Sequence, residues 1–278
     1  MHTGGVYCAF SGGKDSTVLK HLIENTDGCG DVPSVFIDTG LEYPEVRSFA
    51  MEQPNVVVLK PKLKFNEVIK KYGYPVISKE VAKMIYEVRT TKSKALLDRR
   101  LYGIPNTTGQ LVGRLPFKYR YLLDAPFKIS SYCCDVMKKS PMHIYETKSK
   151  RKGYNGMMAD ESRMRLQSWL KAGCNAFDQK WKQSRPLMFW TEQDVLKYIK
   201  EHNLRIADVY GDVIEEDGFL KTSGIDRTGC MFCMFGCHKE SEPNRFQRMK
   251  ETHPAQYKYC MDKLGLREVL DYIGVPYE

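Results

Sequence analysis

The period of the hydrophobic positions changes several times within the first sixty residues. Val6 to Phe10 is a short apolar run that stops at Ser11-Gly12-Gly13, and Ser16 to Glu24 then carries Val18, Leu19, Leu22 and Ile23 on one helical stripe. This predicts a strand, a loop and a helix. Ser34 to Ile37 predicts a second strand ending at Asp38-Thr39-Gly40, a helix is expected from Pro44, and Val56 to Leu59 predicts a third strand. Strands separated by helices of this length imply βαβ units. The expected fold is α/β, a doubly wound and mainly parallel sheet with helices on both faces.

Further along, Lys79 to Arg100 reads as a basic helix and Tyr102 to Tyr132 as irregular. Gly156-Met157-Met158-Ala159 reads as another buried strand, because Asp160-Glu161-Ser162 and a helical run through Leu170 come after it. Thr191-Glu192-Gln193-Asp194 has capping-box spacing ahead of Val195, Leu196 and Ile199, so a helix should begin there. Asn203 to Gly229 has a weak pattern. The final stretch, with Phe246, Met249, Tyr257, Cys260, Leu264 and Leu270, reads as amphipathic helix.

The composition, 42% hydrophobic and 28% charged over 278 residues, is that of a globular chain large enough for a sizeable core. No apolar run approaches the roughly 18 residues of a membrane span. The opening Met1-His2-Thr3-Gly4-Gly5 lacks the basic and apolar regions of a signal peptide. A cytoplasmic chain without a membrane partner is expected. The net charge of +9 is unevenly spread: Lys79 to Lys152 holds 17 Lys or Arg against 6 Asp or Glu, and the remainder is slightly acidic. Such a segment suits either a polyanion, with nucleic acid as the candidate partner of 79–152, or a solvated helical face.

Ser11-Gly12-Gly13-Lys14-Asp15-Ser16 lies between the first strand and its helix. Two glycines allow close backbone approach to an anion, the helix start offers unpaired N–H groups, and Ser11, Lys14 and Ser16 add donors. The expectation is a phosphate cradle, and the spacing is not that of a Walker loop. Ligands of doubly wound sheets lie beyond the carboxyl ends of the strands, which adds Asp38-Thr39-Gly40 to the site. Asp160-Glu161-Ser162 starts a helix from which Arg163 and Arg165 could reach the same anion.

Nine cysteines in a chain of this class point to metal or redox chemistry rather than disulfides. Cys133-Cys134 and Cys230-x-x-Cys233 suit a soft metal centre, zinc or an iron–sulfur cluster. Adjacent thiolates reach two irons of one cluster more easily than two corners of one zinc tetrahedron, which favours [4Fe-4S]. Cys237 is an alternative ligand or a free thiol.

The hexapeptide Ser11–Ser16 resembles the loop of the adenine nucleotide α-hydrolase-like (PP-loop ATP pyrophosphatase) superfamily. Asp38-Thr39-Gly40 with Leu41-Glu42-Tyr43-Pro44-Glu45 is similar to the corresponding segment of its phosphoadenosine phosphosulfate (PAPS) reductase branch. Cys133-Cys134 with Cys230-x-x-Cys233 resembles the cluster-bearing sulfonucleotide reductases, as do Asp135 to Pro141, Gln167-Ser168, and Pro186-Leu187 through Val195. The resemblance implies an adenine nucleotide (PAPS, APS or ATP, with Mg2+ as an accompanying ion) held by Ser11 to Ser16, Asp38 to Gly40 and Asp160 to Ser162. It implies catalytic roles for Lys14, Lys138, Lys139, Arg163 and Arg165, a cluster on Cys133, Cys134, Cys230 and Cys233, and a thiol or thioredoxin-like reductant. It also implies a nucleotide-binding α/β domain over 1–200 with a basic insertion at about 79–152, succeeded by a helical, cysteine-containing region over 201–278. The family's C-terminal Glu-Cys-Gly motif has no counterpart here, which leaves Cys237 as the candidate nucleophile. The expected activity is sulfonucleotide reduction to sulfite or a related sulfur transfer. The alternatives are ATP-dependent adenylation and thiolation of a nucleic acid, and a non-catalytic nucleic-acid-binding module.

Overall fold

The computed structural model describes residues 5–177 and 182–278; the opening residues 1–4 lie outside the described residues. The chain forms two compact units, Met1–Pro61 with Ser140–Gly229, and Lys62–Lys139 with Cys230–Glu278. These boundaries differ from a division at residue 200, because each unit is completed by a stretch distant in sequence.

In the first unit β1 (Val6–Ala9), β2 (Ser34–Ile37), β3 (Val56–Leu59), β4 (Lys152–Asn155), β5 (Asn175–Ala176) and β6 (Gln183–Ser184) form one sheet in the order β3-β2-β1-β4-β6-β5. All neighbours are parallel except β5 with β6. The helices are α1 (Lys14–Glu24), α2 (Pro44–Glu52), α3 (Ser140–Ser149), α4 (Arg163–Ala172) and α5 (Glu192–Glu201). The expected α/β sheet is therefore present. From β1 the chain steps outward through β2 to β3, and β4 then takes the opposite side of β1. Strand order reverses between β1 and β4, and a crevice opens beyond the carboxyl ends of strands at such a point. The loops Ser11–Gly13 and Gly156–Ser162 extend from these two strands. Below them Cys8, Phe10, Val18, Leu19, Phe36, Phe49, Met158, Leu187 and Val195 are buried in one core.

The fourth strand lies at Lys152–Asn155, and the expected Gly156–Ala159 is the loop after it. An apolar run is not needed there, because β4, paired with β1 and β6, is only partly buried and its one fully buried residue is Gly153. Its central Gly153 is a packing requirement: a Cβ at that position would lie 2.8 Å from the Tyr7 hydroxyl, which donates to Glu146 at 2.8 Å.

In the second unit the expected basic helix over Lys79 to Arg100 is two helices, Lys79–Thr90 and Lys94–Tyr102. Thr91 is extended, and Ser93 starts the second helix by accepting from the Leu96 N–H at 3.3 Å. The expected irregular stretch contains a hairpin, Ile104–Pro105 with Leu111–Val112, and a 3₁₀ segment at Phe117–Asp124. Arg89 fastens the end of that 3₁₀ segment and the turn beyond it by donating to the carbonyls of Leu123 (2.8 Å) and Phe127 (2.6 Å). Val76–Ile77 pairs in parallel with Met234–Phe235, joining the two stretches of this unit. Helices at Arg245–Thr252, Pro254–Lys258 and Leu266–Tyr272 close it, as the amphipathic pattern predicts. Among the described residues no helix is long and apolar enough to cross a membrane.

Candidate phosphate site and cysteine set

The loop after β1 is organised by its own polar groups. The Ser11 N–H donates to Ser16 Oγ at 3.1 Å, Gly13 N–H to Ser11 Oγ at 3.3 Å, and Ser16 Oγ donates to the Gly13 carbonyl at 2.9 Å. Gly12 has φ +75°, and a Cβ there would lie 2.9 Å from both the Val46 Cγ1 and carbonyl oxygen, so both conformation and space call for glycine. Gly13 precedes α1 without a side-chain cap, leaving the helix start as a donor-rich end.

Lys14 is buried, with only 3% of its surface exposed, and its charge is engaged. Its Nζ lies 2.9 Å from Glu192 Oε1 and donates to the Asp226 carbonyl at 2.5 Å. Its backbone N–H donates to the Tyr210 hydroxyl at 3.3 Å, and that hydroxyl is 2.6 Å from Thr228 Oγ1. Tyr210 and Thr228 also stand close over Gly13, whose added Cβ would come within 3.2 Å and 3.3 Å of their hydroxyls. No local pattern points to these partners. Tyr210, Asp226 and Thr228 belong to the weakly patterned stretch, and Glu192 stands out in the sequence only for its capping spacing.

Burial pushes the Asp15 carboxyl above its usual range, while Lys14, Arg227 and Arg165 pull it down. One of its oxygens is buried with no hydrogen-bond partner among the described residues. Arg165 and Arg227 thus act on the loop electrostatically, and both pair with Glu161, the latter at 3.9 Å. Ser162 caps α4 by accepting from the Arg165 N–H at 3.3 Å, as its position predicts. Arg163 and Asp160 are exposed.

The Asp38 group is held locally. Arg47 binds both Asp38 carboxylate oxygens at 2.9 Å and holds that carboxyl well below the usual range. Thr39 donates from its hydroxyl to Glu42 at 2.7 Å, and Gly40 faces open space.

All the candidate metal ligands belong to the second unit. Cys133 is buried and Cys134, Cys230 and Cys233 are half-buried. Burial raises the pKa of Cys133, and Cys134, Cys230 and Cys233 raise it further. Among the described residues no three His, Cys, Asp or Glu side chains are gathered as around a metal ion. The chemistry of the donor set nevertheless fits a soft cation, which takes thiolates as ligands and would lower the pKa of each thiol that bound it. Lys138 and Lys139 are exposed beside the pair; Lys139 bridges to Asp135 at 2.7 Å, and Lys138 lowers the pKa of Cys133 and Cys233. Cys237 is buried, donates to the Met234 carbonyl at 3.1 Å, and has its thiol pushed up to about 12 by burial. Cys260 is likewise buried, bonded to the Tyr257 carbonyl at 3.2 Å, and pushed up to about 12.

A mainly parallel α/β sheet with a glycine-rich, donor-rich loop at its switch point is the arrangement from which nucleotide-phosphate sites are commonly built. The phosphoadenosine phosphosulfate reductase domain matches residues 5–97 and 117–236, and the chain belongs to that family. It is similar to the phosphoadenylyl-sulfate (PAPS) reductase from Candida auris, solved as a phosphate complex. The identity is 16%, with 73% of this chain and 75% of that one covered at a TM-score of 0.41. No curated protein matches the chain.

Proposed function

We propose that the chain is a sulfonucleotide reductase, binding PAPS or APS at Ser11–Ser16 and releasing its sulfate group as sulfite. The observation that carries this reading is the loop at the β1/β4 switch point, with Ser11, Gly13 and Ser16 in one hydrogen-bonded turn and the charges of Arg165 and Arg227 acting on Asp15 within it. Membership of the reductase family supports the substrate class. The loop amides and Lys14 bind the nucleotide phosphates, and Arg165, with Arg163 beside it, offsets the negative charge brought in by the sulfate.

The thiol that accepts the sulfur group comes from the reductant. Cys237 and Cys260 are both buried with thiols raised to about 12, the opposite of the exposed, low-pKa setting of a nucleophilic cysteine. A thiolate of an external dithiol, of thioredoxin type, attacks the sulfur. The S–O bond to the phosphate breaks and its electron pair leaves with the nucleotide. The second thiol then attacks the first sulfur, forming a disulfide and releasing sulfite, so the dithiol supplies both electrons.

Cys133, Cys134, Cys230 and Cys233 are the residues that would hold a [4Fe-4S] cluster, and their thiol chemistry and shared unit support that assignment. When bound, a cluster would supply a polarisable, redox-active group whose thiolate charge Lys138 and Lys139 would offset. The test is anaerobic purification and then incubation with PAPS, APS or ATP and a dithiol. Sulfite from a sulfonucleotide, with stoichiometric iron and sulfide in the protein, is the expected outcome. ATP conversion to AMP without sulfite would replace this reading with ATP-dependent adenylation, and stoichiometric zinc without iron would replace the cluster.

A further inference from the structure

The reductase family accounts for residues 5–97 and 117–236, and the stretch between them, 98–116, is unmatched. That stretch is ordered. Asn106 holds the hairpin tip by accepting from the N–H groups of Thr108 (3.0 Å) and Gln110 (2.9 Å), and the Leu115 N–H donates to the Arg100 carbonyl at 2.8 Å, with Leu115 itself fully buried. The hairpin strands above this anchor are exposed on every residue.

The composition of this face is unusual for a solvated addition. From Lys92 to Arg120 there are seven Lys or Arg and one acidic residue. Two arginine groups are used internally or near a ring: Arg100 binds Glu87 and the Gly113 carbonyl, and Arg120 reaches the Leu101 carbonyl and lies 5.4 Å from the Phe117 ring. Lys94, Arg99, Arg114 and Lys118 are exposed. Among these cations stand two large rings left to solvent, Tyr102 at 64% and Phe117 at 82% exposure. A solvated helical face explains the lysines but not two large rings exposed to this degree.

We propose that the 98–116 hairpin and its flanks form a docking surface for single-stranded nucleic acid, with Lys94, Arg99, Arg114 and Lys118 on the phosphates and Tyr102 and Phe117 stacking on bases. A single strand offers a negative charge and an unpaired π-face with each nucleotide, the combination that alternating cations and exposed aromatics take up. A duplex hides its bases, and its phosphates alone would give the rings nothing to stack on. The inference stands apart from the sulfonucleotide reading, since it uses neither the loop nor the cysteines.

Fluorescence anisotropy of the full chain with labelled oligo(dT) and oligo(U) of about 20 nucleotides tests it. Binding should weaken with salt at a log–log slope of about −3, from four phosphate contacts at roughly −0.7 each. Phe117→Ala should weaken binding about fivefold or more, and Arg114→Glu with Lys94→Glu at least tenfold, without a change in melting temperature, because these side chains are exposed. No salt-dependent binding would overturn the proposal. So would equal affinity for duplex DNA, affinity unchanged by both variants, or capture by an acidic protein such as a thioredoxin-type reductant in place of the oligonucleotide.

Discussion

The Lys14 ammonium group lies 2.9 Å from the Glu192 carboxylate, so the cation of the phosphate loop is already paired by the first turn of α5. On the proposed function, an arriving phosphate would compete with that carboxylate. Removing the competitor by Glu192→Gln should tighten binding of adenosine 3′,5′-bisphosphate about fivefold, the worth of a partly exposed ion pair near 1 kcal/mol. Lys14→Met should abolish it. Isothermal titration decides, and weaker binding in the glutamine variant would show that Glu192 assists the anion.

Tyr210 makes a second prediction, because its hydroxyl holds the Lys14 N–H that an anion would claim. Tyr210→Phe should cost about 1 kcal/mol of stability. Saturating pyrophosphate should then raise the melting temperature more in the variant than in the parent, since the anion fills the vacated donor. An equal thermal shift in both proteins would place the anion away from Lys14.

The Asp38–Arg47 pair makes stability depend on acidity. Arg47 depresses the Asp38 pKa in the folded chain, so its contribution is fully present above the unfolded value of about 4 and is lost as pH falls through the lower folded value. Asp38→Asn should remove about 2 kcal/mol at neutral pH and flatten the acid side of the stability curve. Urea unfolding from pH 7 down to 3 would reveal it; parallel curves for the two proteins would contradict the assignment.

At Gly12, alanine must accept a left-handed backbone and a Cβ 2.9 Å from Val46. A loss of about 1–3 kcal/mol is expected, together with loss of nucleotide binding that Gly28→Ala, equally left-handed at φ +74° but in open space beyond the far end of α1, does not share. Thermal melting and titration of both variants provide the comparison.

For the cysteines, Cys133→Ser and Cys230→Ser should each lower bound iron severely, whereas Cys237→Ser should retain it. Iron and sulfide analysis of anaerobically prepared variants checks this. Iron loss in Cys237→Ser alone would make Cys237 a ligand in place of one of the four.

The strand, loop and helix around Ser11 are legible in the sequence because each rests on local rules: an apolar run, two glycines, then a stripe at helical spacing. Ser162 and Thr191 are legible as caps for the same reason, since a cap bonds an amide two or three residues away. β4 lies upstream of the expected Gly156–Ala159 because Lys152-Gly153-Tyr154-Asn155 is held by neighbours on both edges and by the room Tyr7 needs, neither of which shows as hydrophobic alternation. Tyr210, Asp226 and Thr228 reach the loop across some two hundred residues of chain. Arg47 meets Asp38 only after a turn. The cysteine identities are readable from type and spacing, whereas the burial of Cys237 depends on the packing around it.

The interleaving of the two units sets an order on synthesis. The first unit cannot close until residues beyond Ser140 have emerged, and the second waits for Cys230 onward. Until then the ribosome-bound chain carries β1, β2 and β3 without their central neighbour β4, and the strand Val76–Ile77 without Met234–Phe235. Such late, long-range closure slows folding and leaves apolar strands open to the wrong partners. Heterologous yield should therefore respond to chaperone supply and slow translation, and no terminal truncation will isolate either unit intact.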